Sequence, residues 1–248
     1  MVKRIGLQKE YIKVRRKEGG ITFGGDQNFY ACENPSVIEE KKKACGCGII
    51  ALADLVLYLA GRDSRYMTEK NRNYVNRELS EAAYREYFDF VYDFVGGIFA
   101  RVGISGIRLF RRFNRMSKQN GWKLRAGWGL SRKKLLPRIE EMLSADIPVI
   151  MCIPFMILKK DKEDKLPLYV KSYDEESGRE RYKVISYASA HYVMVTEMVT
   201  ETNGEVYLKV SSWGKEYYIN FSEYDTYINS HFLGKILGNI LYIRQKES

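Results

Sequence analysis

The sequence predicts an α+β protein, with a helical half followed by a sheet-forming half. Three observations predict it. From about residue 48 to 144, apolar and aromatic residues recur at the three-to-four spacing of an amphipathic helix. From "IPVIMCIPF" onward the period shortens to strand-like alternation rich in β-branched and aromatic residues, cut by turn formers such as "DEESG" and "ETNGE". The chain of 248 residues is 45% hydrophobic and 29% charged, which is enough apolar material for a core without disulfide or metal staples. Helices and strands segregated along the chain point to α+β rather than alternating α/β architecture.

Residues 1–46 read as largely irregular, with short strands near "EYIKV" and "GITFG" and turns at "GGDQNFY" and "ENPS". Residues 48–60, "GIIALADLVLYLA", have helix length and are apolar on nearly every side, so this helix is expected to be buried, with Gly61 as its stop. Residues 78–101 carry aromatics at helical spacing with acids between, and "ISGIRLFRRFNRMSKQNG" reads as another helix. Ser131 is placed to cap a helix through "RKKLLPRIEEMLS", with Pro137 shortening or bending its start. Beyond it, "IPVIMCIPF", "LPLYVKSY", "RERYKVIS", "AHYVMVTEMV", "EVYLKVSS", "EYYINF" and "GNILYIRQ" read as successive strands.

Composition excludes several functions. The basic N-terminus lacks the apolar core of a secretory signal, and the longest apolar runs are too short and too interrupted to span a bilayer, so no membrane association and a cytoplasmic location are expected. Cys32, Cys45, Cys47 and Cys152 are too few for a disulfide scaffold, and their spacing to His191 and His231 does not suit structural zinc. No metal or other cofactor is expected. The net charge of +10 is uneven: no acidic residue lies between Asp93 and Glu140, while eleven basic residues fall between Arg108 and Arg138. This block reads as a solvated helical face, and polyanion or nucleic-acid binding through segment 108–138 is the alternative.

The chemistry-bearing stretch is "ACGCGIIALADL". A cysteine in the first turn of a helix meets unpaired backbone N–H groups and the positive end of the helix dipole, both of which favour the nucleophilic thiolate. Cys47 has that position, and Gly46 and Gly48 suggest exposed backbone around it; Cys45 lies in the preceding turn. Cys152, within strand-like neighbours, reads as a small buried hydrophobe. A nucleophilic thiol needs a base. His191, in "SASAHYVMVTEM", sits at a strand start behind small residues, whereas His231, in "INSHFLGK", reads as an ordinary loop or short-helix residue.

These pieces in this order resemble the papain-like cysteine peptidase superfamily, and look closest to the bacterial branch that processes double-glycine leader peptides. The resemblance runs from about Gly25 to Phe221 and rests on "GCGIIALADLVLYLAG", on "LLPRIEEMLSADIPVIMCIP", and on "AHYVMVTEMVTETNGEVYLKVSSWGKEYYINF". Cys47 and His191 are 144 residues apart, within the roughly 130–150 of papain-like enzymes. The resemblance implies one domain over 1–248, with a helical lobe over about 25–145, entered by the buried helix that starts at the nucleophile, and a β lobe over about 146–248. It implies peptide or isopeptide hydrolysis by thiol acyl transfer, a peptide or protein substrate, Cys47 as nucleophile and His191 as base. The family's orienting Asn or Asp falls on Ser211; Ser211 or Ser212 would orient His191, and the Trp213 that follows either shields that contact or simply packs. The family's oxyanion-stabilising Gln, six residues before the thiol, is replaced by Lys41. Gln27 fills the role if the intervening loop folds back; otherwise "GGDQ" is a turn. These two departures motivate the alternative of a catalytically weak, peptide- or protein-binding relative.

Overall fold

A computed structural model describes residues 1–75, 78–98, 103–155, 165–174, 179–230 and 234–245. In chain order the strands are β1 (Lys3–Gly6), β2 (Lys13–Arg15), β3 (Ile21–Phe23), β4 (Leu79–Ser80), β5 (Leu124–Gly127), β6 (Val149–Ile153), β7 (Leu166–Asp174), β8 (Arg179–Ala188), β9 (His191–Thr200), β10 (Val206–Ser212), β11 (Lys215–Asn220) and β12 (Ile240–Gln245). The principal helices are α1 (Val37–Cys45), α2 (Cys47–Arg62), α3 (Glu81–Val95), α4 (Gly106–Gln119), α5 (Leu135–Ser144) and α6 (Phe221–Asn229). The protein is α+β, as the patterning predicts, with a large antiparallel sheet. His231 and most of the "DEESG" turn lie outside the described residues.

The expected apolar helix is α2, buried without interruption from Gly48 to Ala60. Leu52, Leu55 and Leu59 are fully buried, and each such side chain contributes about 1.5–3 kcal/mol of transfer free energy. The helix runs one residue past Gly61 and ends on Asp63. It packs on β9, β6 and α3, which explains its lack of a polar face. Every one of the seven expected strands forms. Their sheet, in the order β5-β12-β6-β9-β10-β11-β7-β8 with β1 also on β9, is antiparallel throughout. β9 is long enough to take β6 along one end (Ile153 opposite His191) and β1 along the other (Lys3 opposite Thr200).

Several elements depart from the expected order. β1 and β5, from the helical half of the chain, join the large sheet, and β2, β3 and β4 form a separate three-stranded sheet. α1 replaces an irregular stretch: Ser36 and Glu39 form a reciprocal capping box at its start. α6 follows β11 directly, capped by the Asn220 side chain, which accepts from the Ser222 and Glu223 N–H groups. Ser131 opens a 3-10 turn over Arg132–Lys134 rather than the α-helix itself, and makes no side-chain cap. α5 begins only at Leu135, which puts Pro137 in its first turn, where the missing N–H costs nothing.

Candidate active site

α1 and α2 meet at Gly46 with a bend of 72°, and Cys47 is the first residue after the bend. The two glycines beside it serve close packing rather than exposure, contrary to the sequence reading. Both are buried. A Cβ at Gly46 would lie 2.3 Å from the Lys42 carbonyl oxygen, and one at Gly48 would lie 2.4 Å from Ile104 Cγ2 and 3.0 Å from Tyr192 Cδ2. Any side chain at these positions displaces the helix junction or the residue next to His191.

His191 opens β9 and is held by its neighbours on β10 and the turn that follows. Its Nε2 lies 2.8 Å from Ser212 Oγ, and its ring stacks on Trp213 at 4.3 Å between centroids, 17° from parallel. In the tautomer that donates from Nε2 to the hydroxyl, Nδ1 is the basic nitrogen. Trp213 and Gly214 form the two-residue turn between β10 and β11, with φ of 47° and 68°. A bulky aromatic at positive φ is strained by about 1–3 kcal/mol. Ala190, immediately before His191, is also left-handed, with φ of 51°. Among the described residues, two of the three non-glycine residues with positive φ thus flank the imidazole or cover it, where strain fixes the direction in which the ring is presented.

Ser211 does not meet His191. Its hydroxyl donates to the Phe23 carbonyl at 2.5 Å, and the hydroxyl at the imidazole is that of Ser212. The pairing of β9 with β10 slips between Lys209 and Val210, and a one-residue slip exchanges the faces of every side chain beyond it. Gln27 does come to the site. It begins a 3-10 turn over Gln27–Tyr30 capped by Asp26, and α1 folds back against that turn, so twenty residues of sequence separation close into one locus. Gln27 is buried, and its Nε2 donates to the Lys43 carbonyl at 2.8 Å, which leaves the second hydrogen on that nitrogen for another acceptor.

Cys47, His191, Ser211, Ser212, Gln27 and Trp213 all line one cavity, together with Gly25, Ile50, Ala51, Asp54, Tyr192 and Met194. Its volume of about 20 Å³ holds roughly one water. The electrostatics run against the thiolate expected from the helix end. Burial pushes the Cys47 thiol up to about 11, with the backbone N–H groups of Tyr192, Gly48 and Cys47 pulling only partly the other way. Burial alone lowers His191 to about 3. Desolvation of a buried ionisable group is worth several units, more than the up to about 2 kcal/mol a helix terminus supplies. Both shifts favour the uncharged forms, more firmly for His191, which is buried, than for Cys47, which keeps partial exposure.

Sequence reasoning missed Asp54. It lies seven residues after Cys47, two helical turns along the same face, fully inside the core. Oδ2 accepts from the Tyr11 hydroxyl at 2.9 Å and the Gly25 N–H at 3.1 Å, and Oδ1 accepts from the Tyr84 hydroxyl at 2.6 Å. The signal was a lone acid in an otherwise apolar helix. Asp54 pins the glycine pair that leads into Gln27.

Among the described residues no group of three or more His, Cys, Asp and Glu side chains is placed to hold a metal ion, and no single helix is long and apolar enough to cross a membrane. Comparison with protein-family models, curated proteins and solved structures gave no match to this chain.

Proposed function

We propose that the protein is a papain-like cysteine peptidase or related amide hydrolase. The observation that carries this reading is the convergence of Cys47, His191, Ser212 and Gln27 on one cavity from four separate parts of the chain. Each supplies what acyl transfer needs: a nucleophile, a base, a group that orients the base, and an amide donor for the oxyanion.

In this mechanism a peptide carbonyl enters beside the start of α2. Cys47 Sγ attacks the carbonyl carbon while its proton passes to His191 Nδ1, which the Ser212 contact leaves basic. The developing oxyanion takes the Cys47 N–H and the free hydrogen of Gln27 Nε2. The carbon–nitrogen bond breaks, and His191 returns the proton to the leaving amine. Water, deprotonated by the same imidazole, then cleaves the thioester and restores the thiol. Burial that favours the uncharged thiol and ring suits a proton that moves during attack, as in general-base catalysis.

The small cavity and the burial that opposes charge on the pair also favour a second reading, a peptide-binding relative that does not cut. The two are separated by incubating wild type and Cys47→Ala with a pool of fluorogenic peptide amides and following both fluorescence and intact mass. The hydrolase reading expects released fluorophore from wild type alone and an acyl adduct confined to Cys47. Peptide bound by both forms, with neither turnover nor adduct, contradicts it and leaves the binding module.

A further inference from the structure

α4 has two contrasting faces. Leu109, Phe113 and Met116 are buried in the core. The opposite side carries a groove lined by Ser105, Ile107, Arg108, Arg111, Arg112 and Arg115. Arg108 is committed to the fold, donating to the Val95 and Gly96 carbonyls at the end of α3, and Arg115 lies over the Phe94 ring at 5.9 Å. Among the described residues none of the four arginines has an ion-pair partner, and none of those lining the groove is acidic. Guanidinium groups gathered without a counter-charge repel one another, so a ligand of opposite charge is favoured there.

The groove also begins beside the candidate active site. Ile104, one residue before Ser105, packs over Gly48 and thus beside Cys47. Trp128 packs across Gly106 and meets the ring of Tyr192, the residue after His191, edge-on at 6.2 Å. A chain lying over Cys47 and leaving toward α4 runs onto the arginines.

We propose that this groove binds an acidic segment of the polypeptide substrate and so holds the neighbouring bond over Cys47. The proposal rests on the hydrolase reading above. Arginines one helical turn apart, ~5.4 Å, face alternate side chains of an extended peptide, ~6.6–7 Å apart, and the guanidinium fork suits carboxylates. Ile107, 51% exposed among the arginines, offers an apolar contact. None of the described residues lining the groove is aromatic, and single-stranded nucleic acid is held by stacking on rings, which favours an acidic peptide over nucleic acid.

The test uses fluorescence anisotropy on the Cys47→Ala chain, where binding is read without turnover. The probes are a labelled Asp/Glu-rich decapeptide, its Asn/Gln counterpart, and a single-stranded oligonucleotide of equal length. The acidic peptide should bind at least about tenfold more tightly than either other probe, and Arg111→Glu/Arg115→Glu should lose at least about tenfold, ~1.4 kcal/mol, with unchanged melting. Arg111→Gln/Arg115→Gln serves should the double glutamate variant unfold. Equal binding of acidic and amide peptides, indifference to the arginine changes, or tighter binding of the oligonucleotide overturns the proposal. A groove that binds acidic peptide in a chain that cleaves nothing sinks the hydrolase reading alone; cleavage indifferent to substrate charge sinks the groove alone.

Discussion

Replacing Asp54 by alanine should lower stability by about 3 kcal/mol or more, since each buried donor left unsatisfied costs about 1–3 kcal/mol, and, on the hydrolase reading, should abolish turnover by displacing Gln27. The substitution strips Tyr11, Tyr84 and the Gly25 N–H of their shared acceptor inside the core. Tyr11 and Tyr84 are buried, and the adjoining cavity that Asp54 and Gly25 line has room for roughly one water, a poor substitute for a carboxylate that accepts from three donors. The Gly25 N–H then no longer anchors the backbone two residues before Gln27. Chemical denaturation of the variant, with the wild-type slope as control, measures the loss. A change below about 1 kcal/mol, the size of one ordinary hydrogen bond, would show that the carboxylate is not the anchor.

The second large effect is in pH. His191, held down to about 3 by burial, binds a proton in the unfolded chain near 6.5 but not in the folded one. Between those values the unfolded state takes up more protons, so this group makes stability rise with pH from about 3 to 6.5. Asp54 does the reverse. Burial raises it to about 6 despite its three donors, above the unfolded value near 3.9. The folded state therefore holds the extra proton between those values, and stability from this group falls as pH climbs through them. The two slopes oppose each other between about pH 4 and 6, and the imidazole acts alone below. His191→Gln, neutral at every pH, removes one slope. Relative to this variant, wild type should lose about 3 kcal/mol on going from pH 6.5 to 4, at ~1.4 kcal/mol per unit. Denaturation midpoints of both proteins across that range check it; parallel curves would mean that the ring is protonated freely in the folded protein.

How much of this was legible in the sequence depended on range. α2 was legible because thirteen consecutive buried positions leave an apolar run interrupted only by Asp54, and the C-terminal strands because turn formers punctuate alternating residues. α1 carried a readable signal, Ser36 with Glu39 three residues on, but no apolar stripe to go with it; none of its residues is buried. β1 and β5 are four residues each, too short for alternation to register, and they exist because β9 and β12 offer them edges. In the site, Cys47 and His191 were legible from chemistry and local pattern. Ser212 rather than Ser211 was not, because the choice depends on a bulge that only pairing reveals. The burial that opposes charge on the pair was not legible either: the helix end is a local feature of sequence, whereas that burial is assembled from β9, β10 and the Gly25 segment.

The central claim is that His191 serves the Cys47 sulfur across their shared cavity. It is tested most directly by the rate at which a peptidyl electrophile alkylates Cys47 at pH 7, read by peptide mass spectrometry, in wild type and His191→Ala. Removing a working base should slow the reaction about 10²–10⁴-fold, with Cys32 and Cys45 unaffected. Equal rates in the two proteins would mean that the thiol and the imidazole are neighbours without being partners.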